Sequence, residues 1–314
     1  MKIVICGLWH VHAPDYYKKA CELADIIGVY DECPERVAAF CEKFPVKAFA
    51  SFDELLSSGA DAAIVCTSTD THADVMVALA DAKMDIFTEK VLALTTAECE
   101  RIEEAINRNG VKFVISLPHK YSAGAITAKK IVDSGALGKI NYFRYRNVHS
   151  GSIANWLPSH FYNEKECGGG AMIDLGAHGM YMTEWFCGMP DAASSTFLLA
   201  CEREDTLALN TDRVEDNAVT VMSYSNGCIA INETGFVSMG YPTTLEIGGE
   251  CGRLIFDGRK LLVRTAQSKE LEEVELGESS PLPIIQFCTG NILEGCGMAE
   301  AKKLTKLMEM AYGR

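Results

Sequence analysis

Short apolar runs alternate with amphipathic stretches over the first 120 residues. The apolar runs lie at residues 3–6, 26–30, 62–66, 85–88 and 111–117, and helical patterns lie between them at about 14–23, 34–44, 72–82 and 95–109. Buried strands that alternate with helices are typical of a parallel sheet with helices on both faces. The pattern therefore predicts an α/β domain at residues 1–120.

The pattern changes after residue 120. Helices are predicted at about 125–134 and 172–186, and strands at 139–149, 193–201, 216–224, 227–237, 243–249 and 252–265. Consecutive strands joined by turns such as Asp257-Gly258 predict an open, mainly antiparallel sheet. We therefore expect residues 121–314 to form an α+β domain, with an amphipathic helix at 298–312 that can pack back on the first domain.

Composition narrows the class of protein. A chain of 314 residues fits two domains. Its net charge of -14 argues against nucleic acid or an anionic membrane as a partner. The apolar run at the start is too short for a leader or a membrane span. The 13 cysteines are odd in number and contain no C-x-x-C pair, which favours reduced thiols, a cytoplasmic location and no metal site.

The turn after the first strand is a weak phosphate loop. Only Gly7 keeps the G-x-G-x-x-G pattern, because Trp9 and His12 stand at the other two glycine positions. An ordinary tight turn between strand and helix explains the loop as well. Ligands of such sheets bind at the carboxyl ends of the strands. The cofactor-binding residues expected there are Gly7, Leu8, Trp9, His10, Val11, Asp31, Glu32, Arg36, Cys66, Thr67, Thr69, His72, Glu89 and Lys90.

Asp31 strengthens the case for a Rossmann dinucleotide-binding domain. It lies 24 residues after Gly7, at the end of the second strand, where a carboxylate can bind both adenosine ribose hydroxyls. Asp31 and the adjacent Glu32 would repel a 2′-phosphate, and the nearest cation is Arg36. We therefore expect NAD rather than NADP. A helix-capping or turn role for Asp31 is the alternative.

Two further motifs carry candidate chemistry. Asp174 and His178 are four residues apart on a predicted helix, so a carboxylate can stand beside an imidazole, as a base that takes a proton from an alcohol requires. The preceding Gly168, Gly169 and Gly170 would let the chain approach a ligand closely. Lys90 ends the fourth strand, where it can polarise an alcohol or carbonyl oxygen. A buried structural histidine and a surface Glu89-Lys90 pair are the competing interpretations.

Taken in order, these segments resemble the GFO/IDH/MocA family, the group of glucose–fructose oxidoreductase and inositol dehydrogenase. The matching segments are 29–36, 66–72, 88–94, 133–140, the glycine-rich motif at 168–178, 214–217 and 245–252. The resemblance implies that Lys90 contacts substrate and nicotinamide ribose, and that Asp174 and His178 bind substrate hydroxyls and move the proton. It also implies a homodimer or homotetramer formed through the second sheet. Val91 replaces the family's proline.

These observations predict an NAD-dependent oxidoreductase of carbohydrate metabolism. It would transfer a hydride between NAD and a secondary alcohol of a sugar, sugar derivative or cyclitol. Substrate contacts are expected from Lys90, His119, Tyr121, His149, Asn155, Trp156, His160, Tyr162, Asp174 and His178. Two alternatives stay open: an NAD-retaining enzyme that cleaves glycosides by transient sugar oxidation, and a non-catalytic nucleotide-bound regulatory protein.

Overall fold

Five strands form a parallel sheet in the computed structural model, which describes residues 1–207, 214–239, 243–268 and 270–314. The strands are β1 (Lys2–Cys6), β2 (Asp25–Tyr30), β3 (Ala62–Val65), β4 (Asp85–Thr88) and β5 (Phe113–Ile115). Their order across the sheet is β2-β1-β3-β4-β5, and every pair is parallel. The α/β prediction for this part of the chain is confirmed.

Helices alternate with these strands, as the pattern predicts. They are α1 (Ala13–Ala20), α2 (Pro34–Lys43), α3 (Phe52–Leu56), α4 (His72–Asp81) and α5 (Thr96–Asn109). Thr95 and Glu98 form a reciprocal capping box at the start of α5, and Gly110 ends that helix in the left-handed region. The apolar periodicity did not predict α3, which has only five residues and begins at a Ser51 cap.

Eight strands form the second sheet. They are β6 (Ile140–Val148), β7 (Ala192–Leu198), β8 (Asn217–Ser223), β9 (Ile229–Gly235), β10 (Thr244–Gly249), β11 (Gly252–Phe256), β12 (Leu261–Arg264) and β13 (Glu272–Val274). Their order is β13-β12-β11-β10-β6-β9-β8-β7, and of these neighbouring pairs only β6 with β9 is parallel. The predicted mainly antiparallel sheet is confirmed.

The stretch 252–265, for which the sequence predicted strand with a turn at Asp257-Gly258, is a hairpin of β11 and β12. The Asp257 carboxylate accepts hydrogen bonds from the backbone N–H groups of Arg259 and Lys260, at 2.9 and 2.8 Å. An aspartate that binds the backbone two and three residues later closes a tight turn. This local polar contact therefore overrides the apolar alternation on either side of it.

Two helices of the same part of the chain contact the second sheet, α6 (Ala123–Asp133) and α8 (Ala177–Cys187). Two short helices, α7 (Glu164–Cys167) and α9 (Glu204–Leu207), contact the 3₁₀ turn Ser159–Tyr162. Along β8, buried and exposed side chains alternate strictly, and α8 contacts both β6 and β9. One face of the sheet is thus buried under helices, as alternation in an antiparallel sheet requires.

Two compact units divide the chain. The first contains Met1–Leu117 and Pro281–Thr305, and the second contains Pro118–Ser280 and Lys306–Arg314. The sequence placed all residues after 120 in the second domain, apart from a possible return of helix 298–312. Residues 281–305, with helix α10 (Pro283–Thr289) and the first part of α11 (Met298–Tyr312), instead group with the first unit.

Specific contacts explain this grouping. The backbone N–H of Ile115 donates to the Cys296 carbonyl at 2.9 Å, which extends the edge of β5. The Phe287 ring packs 5.8 Å from that of Phe87. The unpaired edge of a strand is a strong template for further pairing, so a distant segment can complete it. In the described part of the chain, no helix has the length and apolar character needed to cross a membrane.

Candidate active-site groups of the two units

Gly7 closes the turn between β1 and α1. Its φ is +90°, and a Cβ atom there would lie 2.4 Å from the Thr67 backbone nitrogen. Its N–H donates to the Tyr30 carbonyl at 2.7 Å, and the His10 N–H donates to the Cys66 carbonyl at 3.0 Å. Only glycine fits this conformation and this approach. The one glycine that the loop keeps is thus the one required by the packing of β1 against its neighbours.

Asp31 is buried next to this turn. Its carboxylate accepts the backbone N–H of Leu8 at 2.5 Å and that of Cys33 at 2.8 Å, and it pairs with the Arg36 guanidinium at 3.3 Å. These contacts join the phosphate loop to the end of β2. The capping and turn role considered for Asp31 is therefore present, and it leaves the carboxylate at the edge of a cavity.

That cavity lies at the carboxyl ends of β1, β2 and β3. It is lined by Cys6, Gly7, Trp9, Tyr30, Asp31, Glu32, Arg36, Phe52, Thr67, Ser68, Thr71 and Val75. Six of the residues predicted from the sequence to bind cofactor are among them. A groove with a glycine turn, a buried carboxylate and apolar walls fits the adenosine half of a dinucleotide.

Other predicted cofactor residues have structural contacts. The Cys66 side chain is fully buried, and burial raises the pKa of its thiol. The His72 Nδ1 atom lies 3.1 Å from the carbonyl oxygens of Val91 and Leu92. Burial lowers the pKa of His72, so its imidazole is neutral. His72 thus ties the start of α4 to the segment after Lys90. Val11 is exposed at the loop surface, and Thr69 lies in a short 3₁₀ turn before α4.

Glu89 is the centre of a buried polar cluster in the first unit. Its carboxylate accepts hydrogen bonds from the Tyr16 hydroxyl and from His12 Nδ1, the latter at 2.7 Å, and lies 3.8 Å from His10 Nδ1. Burial opposes its ionisation, but the two imidazoles and the adjacent Lys90 hold the pKa of Glu89 well below its usual range. Glu89 is 1% exposed and Lys90 5%, so they are not a surface pair.

Sequence reasoning missed Tyr16 and Ser116 in this cluster. The Tyr16 hydroxyl lies 2.8 Å from the Ser116 hydroxyl, and burial together with the Glu89 charge raises the pKa of Tyr16 well above its usual value. The buried side of α1 contains Ala13, Tyr16, Tyr17 and Ala20. This spacing signals a packed tyrosine, but it gives no sign of a carboxylate 73 residues away.

Lys90 follows β4 directly. Its backbone N–H donates to the Glu89 carboxylate at 3.0 Å, and the Lys90–Val91 peptide bond is cis. The next residues, Val91, Leu92 and Ala93, are buried. The Glu89 carboxylate and the packed chain after Lys90 therefore hold the backbone of this lysine.

In the second unit, His178 stands in a cluster of aromatic side chains. Its Nδ1 atom lies 2.8 Å from the Tyr181 hydroxyl, and its ring stacks on the His119 ring at 4.0 Å and 18°. His119 Nδ1 lies 2.6 Å from the Tyr145 hydroxyl. Burial raises the pKa of Tyr145, so this phenol keeps its proton. The structure thus brings two predicted residues, His119 and His178, into direct contact, and adds two tyrosines that the sequence did not indicate.

Asp174 lies in a π-helical turn, Met172–Gly176, rather than in the regular α-helix that the sequence predicted. The α-helix proper, α8, begins at Ala177. A π turn holds more residues than an α turn, so the spacing of four between Asp174 and His178 no longer places them on one face in the simple α-helical way. Such turns occur often at functional sites.

Glu215 binds the backbone at the start of this turn and packs against Gly170. Its carboxylate accepts the backbone N–H groups of Gly170 and Met172, at 3.1 and 2.9 Å, and the Tyr312 hydroxyl at 2.7 Å. A Cβ on Gly170 would lie 1.9 Å from the Glu215 carbonyl oxygen. Gly170 is therefore required by the chain at Glu215, whereas the sequence suggested approach to a ligand. Burial raises the pKa of this carboxyl.

Three other predicted substrate residues, His149, Trp156 and Tyr162, form a second aromatic group with Phe236. The His149 ring stacks on Phe236 at 4.9 Å and lies 4.6 Å from the Trp156 ring, which is 52% exposed. Tyr162 is buried, and its hydroxyl hydrogen-bonds with Ser152. Tyr121 is buried in the 3₁₀ turn Pro118–Tyr121, Asn155 has a positive φ of 52°, and His160 packs 5.1 Å from the Phe161 ring.

Comparison with known proteins finds relatives of both parts of the chain. Residues 1–117 match an oxidoreductase family with an NAD-binding Rossmann fold, and residues 125–255 match the GFO/IDH/MocA C-terminal domain. Myo-inositol 2-dehydrogenase of Thermotoga maritima is 26% identical over 263 residues, which are 82% of this chain and 75% of that enzyme. Inositol 2-dehydrogenase of Salmonella paratyphi B is 29% identical over 136 residues, 42% of this chain and 40% of that enzyme.

The fold also matches solved structures along its whole length. A levoglucosan dehydrogenase, solved with NADH and levoglucosan, has a TM-score of 0.84 at 18% identity and covers 100% of this chain and 96% of its own. The parallel sheet with its glycine turn and the mainly antiparallel sheet together define a Rossmann domain joined to an α+β domain. The chain belongs to the GFO/IDH/MocA family.

Proposed function

We propose that this protein is an NAD-dependent dehydrogenase that transfers a hydride between NAD and a secondary alcohol of a sugar, sugar derivative or cyclitol. The observation that carries the proposal is His178, a buried imidazole held by a hydroxyl and a stacked ring. An imidazole that exchanges a proton near neutral pH suits the alcohol proton of such a reaction. The names of the relatives, inositol and levoglucosan dehydrogenases, support the substrate class.

The first unit has features that fit NAD. Gly7 makes the tight turn after β1, and the Asp31 carboxylate at the cavity edge can accept hydrogen bonds from ribose hydroxyls. When bound, NAD supplies the hydride acceptor for the alcohol carbon. Asp31 and Glu32 place two negative charges on the cavity wall, and Arg36 is paired with Asp31. We infer from these charges that the site prefers NAD over NADP.

Three side chains are assigned to the alcohol. Lys90 orients and polarises the substrate oxygen, His178 takes its proton, and Asp174 binds substrate hydroxyls and assists His178. The rest of the substrate is assigned to His119, Tyr121, His149, Trp156 and Tyr162. An ammonium beside the oxygen lowers the cost of the negative charge that develops as the proton leaves.

The test is turnover with defined alcohols. Wild-type protein is incubated with NAD and with myo-inositol or levoglucosan, and NADH formation is followed by absorbance. We expect His178→Ala and Lys90→Met each to lower kcat by roughly a hundredfold or more, the typical contribution of acid–base catalysis. NADH binding, measured by fluorescence, should stay near wild type in His178→Ala. Unchanged turnover in that variant would contradict the assignment of His178 as the base.

Cofactor retention separates simple dehydrogenation from transient oxidation. Freshly purified protein is denatured, and the released material is examined by mass spectrometry for NAD or NADH. NAD that remains bound through purification, together with release of a glycoside's leaving group without net NADH, would replace the proposed reaction by glycoside cleavage. Free exchange of NAD with stoichiometric NADH formation supports the dehydrogenase.

We further propose a cytoplasmic homodimer or homotetramer formed through the second sheet. Four apolar side chains are exposed on one face of β7, β8 and β9: Leu198, Val219, Val221 and Ile229, at 58%, 39%, 44% and 48%. A contiguous apolar patch of this kind is typical of an interface. The 13 cysteines are all thiols, which supports a reducing compartment.

A further inference from the structure

Tyr181 contacts the candidate base, His178, at its Nδ1 atom and not at its other ring nitrogen, Nε2. It lies three residues after His178 on α8, so both side chains lie on one face of the helix. Its hydroxyl oxygen is 2.8 Å from His178 Nδ1 and also accepts the backbone N–H of His119 at 3.0 Å. The Tyr181 side chain is 1% exposed. The hydroxyl therefore has two fixed neighbours in a place with almost no access to water.

We propose that Tyr181 is the positioning residue that decides which nitrogen of His178 carries the hydrogen. In this arrangement Nδ1 donates to the Tyr181 hydroxyl and Nε2 keeps the lone pair that takes the alcohol proton. The inference rests on the proposed function of His178 as the base. It assigns to a neutral phenol the role that a carboxylate performs beside many catalytic histidines.

The hydrogen-bonding capacity of the two side chains explains this assignment. A neutral imidazole donates through one nitrogen and accepts through the other, and a protonated imidazole donates through both. When Nε2 takes a proton, Nδ1 must therefore donate, and the phenol oxygen beside it accepts in a charge-assisted bond. The opposite orientation, with the phenol O–H donating to Nδ1, would place the hydrogen on Nε2 and leave no base there.

His119 fixes the plane of the His178 ring. The two imidazoles stack at 4.0 Å and 18°, and the Tyr145 hydroxyl holds His119 through its Nδ1 at 2.6 Å. The stack holds the plane of the His178 ring, and the hydrogen bond of Nδ1 with the Tyr181 hydroxyl sets which edge of the ring faces the phenol. Lys120 Nζ lies 5.9 Å from the centre of the Tyr181 ring and makes a cation–π contact with it.

The decisive variant is Tyr181→Phe, which keeps the ring and removes only the hydroxyl. We expect kcat with NAD and myo-inositol or levoglucosan to fall by about tenfold to a hundredfold, with little change in KM, from the loss of one hydrogen bond to a charged group. Tyr224→Phe is the matched control, because it removes a partly buried hydroxyl that donates to the Gly188 carbonyl at 3.1 Å. That control should keep wild-type turnover.

A spectroscopic readout distinguishes positioning from a merely structural role. The protein is labelled with ¹⁵N-histidine, and proton–nitrogen correlation spectra assign the hydrogen of each of the seven imidazoles. The His178 resonances are identified by their loss in His178→Asn. We expect hydrogen on Nδ1 of His178 in the neutral wild-type enzyme, a shift of that hydrogen toward Nε2 in Tyr181→Phe, and no change in Tyr224→Phe.

Failure of this inference and failure of the proposed function give different results. If wild-type protein oxidises no alcohol, the proposed function is wrong, and the nitrogen spectra still decide the role of Tyr181. If Tyr181→Phe keeps both wild-type turnover and the wild-type His178 spectrum, the inference is overturned. If that variant does not fold, the wild-type spectrum decides alone: hydrogen on Nε2 and none on Nδ1 overturns the assignment.

Discussion

Replacing Asp31 by Asn removes one negative charge from the wall of the adenosine cavity while nearly keeping the shape of the side chain. The wild-type carboxylate accepts two backbone N–H groups, those of Leu8 and Cys33, and pairs with Arg36. Asn keeps one side-chain acceptor and loses the charge. The Arg36 guanidinium is then no longer neutralised and can face a 2′-phosphate. We therefore expect Asp31→Asn to weaken NADH binding and to strengthen NADPH binding.

The magnitude follows from two contributions. A hydrogen bond to a charged group contributes about 1.5–3 kcal/mol, so NADH loses affinity when its ribose hydroxyls lose the carboxylate. Two like charges about 4 Å apart repel by about 1 kcal/mol in water and about 4 kcal/mol at an effective dielectric of 20, and NADPH escapes this repulsion. Because about 1.4 kcal/mol is a tenfold change, the ratio of NADPH to NADH affinity should rise at least about tenfold.

The assay is a fluorescence titration of each variant with NADH and with NADPH. Glu35→Gln is the matched control, since it removes the same charge from a nearby exposed residue that is not among those lining the cavity. Urea unfolding measures the loss of stability in Asp31→Asn, and we expect the free energy of unfolding to fall by about 1–3 kcal/mol because one hydrogen-bond acceptor is lost. A ratio within about twofold of wild type, or an equal shift in the control, would refute this account of cofactor choice.

Three further perturbations probe the fold and the assembly. Glu89→Gln should lower the free energy of unfolding by about 3 kcal/mol at pH 8. Because the Glu89 pKa is depressed, the stability that its ionised carboxylate provides is present above pH 4.5 and is lost as pH falls through the folded-state pKa; equal costs of the substitution at pH 8 and at about pH 2 in urea melts would contradict this. Gly170→Ala, whose Cβ would lie 1.9 Å from a carbonyl oxygen, should lower the free energy of unfolding by about 3 kcal/mol. Gly277→Ala, whose Cβ would lie 3.6 Å from its nearest neighbour, should lower it by less than about 1 kcal/mol. Urea unfolding measures both. Val221→Lys should dissociate the proposed oligomer, and Leu23→Lys, at a side chain that is also 44% exposed, should leave it intact. Light scattering measures the mass of each variant, and an intact oligomer in both would exclude the sheet interface.

Much of the fold was predictable because its signals are local. The apolar runs of the parallel sheet, the capping box at Thr95 and the left-handed Gly110 each depend on a few neighbouring residues. Turn residues between the later strand segments, such as Asp257 and Gly258, indicated the antiparallel sheet in the same way. The short helix α3 was missed because five residues are too few to show a helical period.

The residue types of the candidate site were also visible in the sequence. Asp31, Lys90 and His178 stand at positions where strand ends and a glycine-rich motif predict chemistry. Their partners were not visible. Tyr16 and Glu89 are 73 residues apart, and His119 and Tyr181 are 62 residues apart. No spacing rule connects such pairs, because packing alone decides which side chains meet.

The sequence by itself thus determined the two kinds of sheet, the glycine turn at Gly7 and the side chains that can carry the reaction, since each depends on propensity or on position relative to a strand. Tertiary structure decided the rest. Burial of Glu215 against the chain at Gly170 accompanies the π turn that holds Asp174, and the meeting of separate segments places a phenol, rather than a carboxylate on the same helix, at Nδ1 of His178. A buried hydrogen bond requires a donor and an acceptor from separate segments to lie within bonding distance, and only the folded chain determines which groups do so.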